Sequence, residues 1–137
     1  LKVFDAPDAF ASCTRRIRSN TLLQALTILN DPAFFEIAQG LAERVLKEGG
    51  KTDEARIALG VRLCLARDPD ARELSVLKSF LSRQRELYAG MDVETLSAVV
   101  HRAHGAEAVD EAQRSEQAAW VMLARVLLNL DETITRE

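Results

Sequence analysis

Apolar residues recur along this chain at helical spacing, in blocks bounded by residues that start and stop helices. Thr21 stands before Leu22-Leu23-Gln24-Ala25-Leu26-Thr27-Ile28-Leu29, a stretch apolar nearly all round, which predicts a short buried helix. Asn30 ends it, and Asp31-Pro32 supplies a favoured cap and a favoured first helical residue for the next. Phe34, Ile37, Ala38, Leu41, Val45 and Leu46 line one face of that second helix as far as Gly49-Gly50, where a left-handed residue is expected to stop it.

Thr52 caps a third helix carrying Ile57, Val61, Cys64 and Leu65, which Asp68-Pro69 breaks. Asp70 and Glu73 form a capping-box pattern for a fourth, with Leu74, Leu77, Phe80, Leu81, Leu87 and Tyr88 as its apolar side. Arg72, Lys78, Arg83, Arg85 and Glu86 fall largely opposite and read as a solvated face. Asp92 opens a weaker fifth helix through Val93, Leu96, Val99, Val100 and Ala103 to Gly105, and residues 106–115 are a loop or the run-in to the last helix. That last helix, from about Glu116 to Leu130 by its spacing, has Trp120, Leu123, Val126, Leu127 and Leu130 on one side and Val121, Met122 and Leu128 on its flanks. Apolar residues on so many sides predict that the other helices wrap it.

No stretch alternates with period two for long, and no repeat recurs at the ~34–45 residues of a helical solenoid. The expectation is an all-α protein: a single compact bundle of five to six helices with an irregular N-terminal arm and a buried C-terminal helix. The arm spans 1–20 and the bundle 21–137, forming one domain that is part of a larger one. The arm has no periodicity of its own, yet it carries Phe4, Phe10 and Ile17 among closely spaced charges. The chain begins at Leu1 rather than Met, which reads as a piece of a longer polypeptide.

Composition changes this picture little. Three prolines and six glycines in 137 residues, with abundant Ala, Leu, Arg and Glu, agree with helix. A net charge of −3 gives no argument for a nucleic-acid or acidic-membrane partner, and sparse aromatics argue against a base-stacking platform. No apolar run approaches the ~20 residues of a membrane-spanning helix. Cys13 and Cys64 form no C-x-x-C or C-x-x-C-H pattern, so no zinc ribbon or covalently attached haem is expected, and Cys64 reads as a buried small hydrophobe.

Four constellations could carry chemistry. Asp5, Asp8, Arg15, Arg16, Arg18 and Gln24 form a polar segment whose arginines, beside a helix start, could hold a carboxylate, sulfate or phosphate. The alternative is that these charges pair with one another or with upstream parts of the polypeptide. Asp31 with Glu36 is the nearest approach to paired carboxylates, but capping accounts for Asp31. His101 and His104 share a helix face without a third ligand at convincing spacing, and interaction with a helix C-terminus explains them. Asn129, Asp131, Glu132 and Glu137 place acid at a helix end, where it opposes the dipole and calls for a compensating partner; an arginine from the N-terminal segment would serve, in preference to a cation site, which would want oxygen ligands on a loop. No G-x-S-x-G elbow or Gly-rich phosphate loop occurs. No catalytic residue, metal or cofactor is expected within this chain.

Two segments are more distinctive than a generic bundle. The first is Phe4-Asp5-Ala6-Pro7-Asp8 with Cys13, Arg15-Arg16, Arg18, Thr21, Gln24-Ala25-Leu26 and Leu29-Asn30-Asp31-Pro32. The second is Ala118-Ala119-Trp120 with Ala124-Arg125-Val126-Leu127-Leu128-Asn129-Leu130-Asp131-Glu132 and Thr135-Arg136-Glu137. With a weaker middle match at Leu65-Ala66-Arg67-Asp68-Pro69, Glu73 and Phe80-Leu81, they resemble the C-terminal half of a planctomycete-specific domain of unknown function. Leu22 stands where that family usually has Pro, Ala66 where Gly is usual, and Thr133 where an aromatic is common. The family typically ends large exported proteins that also carry a cytochrome-c-like domain and a second planctomycete-specific domain. The resemblance therefore implies an extracytoplasmic, multidomain setting and no particular reaction. The function expected is that of a non-catalytic helical module completing a larger protein through contacts with upstream domains or partners. The alternative is a binding or catalytic site for an anionic group, shared with the upstream part.

Overall fold

Four helices begin where a short polar side chain satisfies backbone amides that have no partner within the helix. The computed structural model describes Leu26 and residues 30–100 and 110–134. Among these are six helices: α1 (Pro32–Glu48), α2 (Asp53–Leu65), α3 (Ala71–Tyr88), α4 (Val93–Val99), α5 (Glu111–Leu128) and α6 (Asp131–Ile134), with no strand among the described residues. Asp31 Oδ1 accepts from the Ala33 amide at 2.8 Å, Thr52 Oγ1 from Ala55 at 3.3 Å, and Asp92 Oδ1 from Thr95 at 2.8 Å. At α3 the capping box is complete: the Glu73 amide donates to Asp70 Oδ1 at 2.7 Å, and the Asp70 amide donates to Glu73 Oε2 at 2.8 Å. The starts read at Asp31, Thr52, Asp70 and Asp92 are therefore present, and the one read at Thr21 lies outside the described residues.

The helix stops differ more. Gly50 takes the left-handed conformation after α1, with φ +81°, whereas Gly49 stays at −77°. α2 ends on Ala66 with φ 58°, a left-handed residue that is not glycine. α4 ends at Val99, shorter than the fifth helix expected to reach Gly105, because Val100 is extended. Residues 101–109, with His101, His104 and Gly105, lie outside the described residues. α5 begins at Glu111, so part of the segment left between loop and run-in is the first turn of that helix.

α5 is the axis of the bundle, with α1, α2, α3, α4 and α6 all packed on it, and its broadest contacts are to α1 and α3. Ala118, Ala119, Trp120, Val121, Leu123, Ala124 and Leu127 are all buried along it. The wrapped helix read from the sequence is this one, although α6 follows it in the chain. From α1 come Ala38, Ala42 and Val45, small side chains at helical spacing that let two helices approach closely. Ile37, expected on that face, is instead 52% exposed, because the buried row runs through 38, 42 and 45 and leaves residue 37 about 100° round the helix. From α2 come Ile57 and Val61 around Gly60, where a Cβ atom would stand 3.0 Å from Leu127 Cδ1 of α5. α3 supplies Leu77, Leu81 and Tyr88, and α4 supplies Leu96. Gln39, buried on α1, donates from Nε2 to the Val99 carbonyl at 2.7 Å and ties the end of α4 to the bundle.

Cys64 and Leu26 also differ from expectation. Cys64 packs against the core but is only half-buried. Leu26, the described residue of the apolar segment 22–29, is 49% exposed rather than buried.

Candidate functional site

The six residues singled out for a ligand or partner, Asp5, Asp8, Arg15, Arg16, Arg18 and Gln24, lie outside the described residues, as does the whole arm 1–20. The strongest polar constellation within them is another one, built around Arg85. In α3, Leu77, Leu81 and Arg85 follow at steps of four, so Arg85 continues the edge of the buried row instead of facing solvent. The expectation of a solvated Arg85 is thus corrected by its place on the wheel.

Its guanidinium meets two carboxylates, each by two hydrogen bonds. Nη1 and Nη2 donate to Asp53 Oδ2 and Oδ1 at 2.6 and 2.8 Å. Nε and Nη2 donate to Glu116 Oε2 and Oε1 at 2.8 and 2.6 Å. Glu116 Oε1 also accepts from Trp120 Nε1 at 2.8 Å, so the indole in the core is held by the same carboxylate. Asp53 opens α2 and Glu116 lies one turn before Trp120 on α5, so one side chain of α3 joins three helices. The planar fork of arginine suits such paired recognition in a way lysine does not. Hydrogen bonds from Arg85 are the main cause holding both the Asp53 and the Glu116 carboxyl below the usual carboxylate range. The same bonds push Arg85 further up.

A second clasp forms where α2 passes into α3. Arg67 Nη1 and Nη2 donate to Glu73 Oε2 and Oε1 at 2.8 and 2.7 Å, and Nη2 also donates to Glu132 Oε2 at 2.5 Å. The Arg67 hydrogen bond, aided by the Asp70 amide, takes the Glu73 carboxyl down to about 2. Glu132 thus has an arginine partner in Arg67, while the arginines of the N-terminal segment expected near this acidic end lie outside the described residues. Asp131 and Glu132 also open α6, so the helix dipole favours them where the sequence suggested opposition. Asn129, at the end of α5, has a buried Oδ1 without a hydrogen-bond partner.

Beside the Arg85 clasp an open groove of about 540 Å³ runs between the end of α3, α4 and the start of α5. Tyr88, Met91 and Leu96 form its apolar part, and Arg85, Asp110 and Glu116 its polar part. Arg85 is already doubly engaged there, so an incoming anion would have to displace a carboxylate. Glu116 stays ionised with both oxygens occupied, and desolvation raises the Tyr88 phenol. Such groups make neither a general acid near neutrality nor a free base. Among the described residues no group of three or more His, Cys, Asp or Glu side chains is placed to hold a metal ion. No helix among them is long and apolar enough to cross a membrane.

Fold and polar network together define an all-α domain whose internal charges tie helix to helix. The family is shown by comparison: residues 1–81 match the model of PSD1, a protein of unknown function (DUF1553), and the chain belongs to that family. The matched stretch takes in the N-terminal and middle segments of the resemblance, and its C-terminal segment falls outside. No curated protein and no solved structure matches the chain.

Proposed function

We propose that this chain is a non-catalytic helical module that completes a larger protein through contacts with neighbouring domains or a partner. One observation carries the reading: two arginines are each matched to two carboxylates and join helix to helix, Arg85 with Asp53 and Glu116, and Arg67 with Glu73 and Glu132. A binding or catalytic cleft keeps some such groups unmatched for its ligand. Here their geometry serves to hold helices in register. In the setting implied by the resemblance, a large multidomain planctomycete protein, the module is the C-terminal half of a domain, and its partner is the part upstream.

The test uses the two parts produced as separate chains. The module and the rest of the polypeptide are expected to associate one to one in analytical ultracentrifugation. An upstream part that folds, stays monodisperse and ignores the module would contradict the reading.

A further inference from the structure

We infer that the outer face of α3 docks a partner helix presenting an apolar ridge flanked by carboxylates. This rests on the reading of the chain as a contact-making module and names the surface and the chemistry of its partner. Val76 and Leu87 are 60% and 55% exposed. Eleven residues bring a helix back to within about 20° of the same direction, so the two stand on one ridge, about 16 Å apart. Phe80 lies between them, half-buried against the core, and anchors the ridge to the bundle. Apolar residues scattered singly over a surface need no explanation, but a row of three on one helix face does.

Arg72 and Arg83 repeat the same period, each four residues before Val76 and Leu87, and form a basic row alongside the ridge. Both are exposed, and neither has an ion-pair partner among the described residues. The contrast lies on the side of α3 facing α2, where Lys78 pairs with Glu54 and Arg85 with Asp53. Two unmatched cations beside an apolar row complement a helix with its own apolar row and carboxylates next to it. A second copy of this face fits worse, since antiparallel pairing would set arginine row against arginine row.

The experiment titrates the isotope-labelled 137-residue chain with two synthetic helical peptides. Both carry the same leucine ridge, flanked by glutamates in one and by lysines in the other. Amide shifts are expected around Val76, Arg83 and Leu87, with the glutamate peptide bound about tenfold more tightly and its advantage shrinking as salt is added. Arg72→Glu with Arg83→Glu should reverse the preference and leave thermal unfolding unchanged, because both side chains are exposed. Equal affinity for the two peptides, shifts confined to another face, or no binding would overturn the inference. So would a concentration-dependent dimer abolished by Leu87→Gln, which would make a second copy the occupant. If the module still associates with the rest of the polypeptide and the arginine variant leaves that association untouched, this surface is wrong and the module reading stands.

Discussion

Arg85 and Arg67 make the same kind of clasp in different surroundings. Each guanidinium serves two carboxylates, but the Arg85 group is the more enclosed, with its three side chains between 30% and 34% exposed. In the Arg67 group Glu132 is 60% exposed. Reach does not separate them, since Arg85 spans 31 or 32 residues to its partners and Arg67 spans six to Glu73 but 65 to Glu132. A charge held beside a buried tryptophan constrains the bundle, while one nearer the surface is screened by solvent. The lesson is that neither hydrogen-bond count nor reach ranks the two; burial does.

The largest effect should come from the core side of the enclosed clasp. Trp120→Ala is expected to cost about 3–5 kcal/mol, measured by urea unfolding, whereas Trp120→Phe should cost clearly less by keeping most of the apolar volume. Next, Arg85→Ala should cost about 1–3 kcal/mol, since it leaves two half-buried carboxylates facing each other while solvent at one-third exposure screens part of the loss. Arg85→Lys should recover only part of it, because an ammonium cannot engage both carboxylates in paired fashion. Arg67→Ala should move the melting temperature far less than Arg85→Ala, and equal losses would erase the distinction between the clasps.

Acid sharpens the comparison. Asp53, Glu116 and Glu73 all have folded-state pKa values below their ordinary ones, so the stability they contribute is fully present above pH about 4.5 and is lost as pH falls. For Glu73 the loss extends down to a pH of about 2. Unfolding curves between neutral pH and pH about 3 should therefore slope toward lower stability, and Arg85→Ala should flatten that slope. A slope unchanged by the substitution would place its origin elsewhere. The smallest expected effect is a gain. Ala66 holds φ 58° at the end of α2, where a side chain is strained, so Ala66→Gly should stabilise by about 0.5–1 kcal/mol.

Much of the fold was legible because helix starts are local. Asp31-Pro32, Thr52, Asp70 with Glu73 and Asp92 each declare themselves within four residues, and all four cap as expected. The wrapped helix around Trp120 was equally plain from its apolar flanks. What was missed depends on distant partners. Arg85 looks like one of several surface arginines until Asp53 and Glu116 are brought beside it, and the one available signal was its place four residues after Leu81. The burial of Ala42 in place of Ile37 was decided by how closely α1 and α5 approach, which one helix's periodicity cannot report. The Arg67–Glu132 pair was not foreseen because the turn that starts α6 was not. The arm 1–20 and its candidate residues lie outside the described residues, so the anion-binding expectation stands where the sequence left it.

The central claim is that the polar network around Arg85 exists to hold helices together. A double-mutant cycle tests it most directly, with Arg85→Ala and Glu116→Gln made singly and together and stability read from denaturant unfolding at neutral pH. A coupling of at least about 1 kcal/mol is expected, so that the second substitution costs little once the first is made. Strictly additive losses would show that the two side chains act independently, and the clasp could not then be what ties α3 to α5.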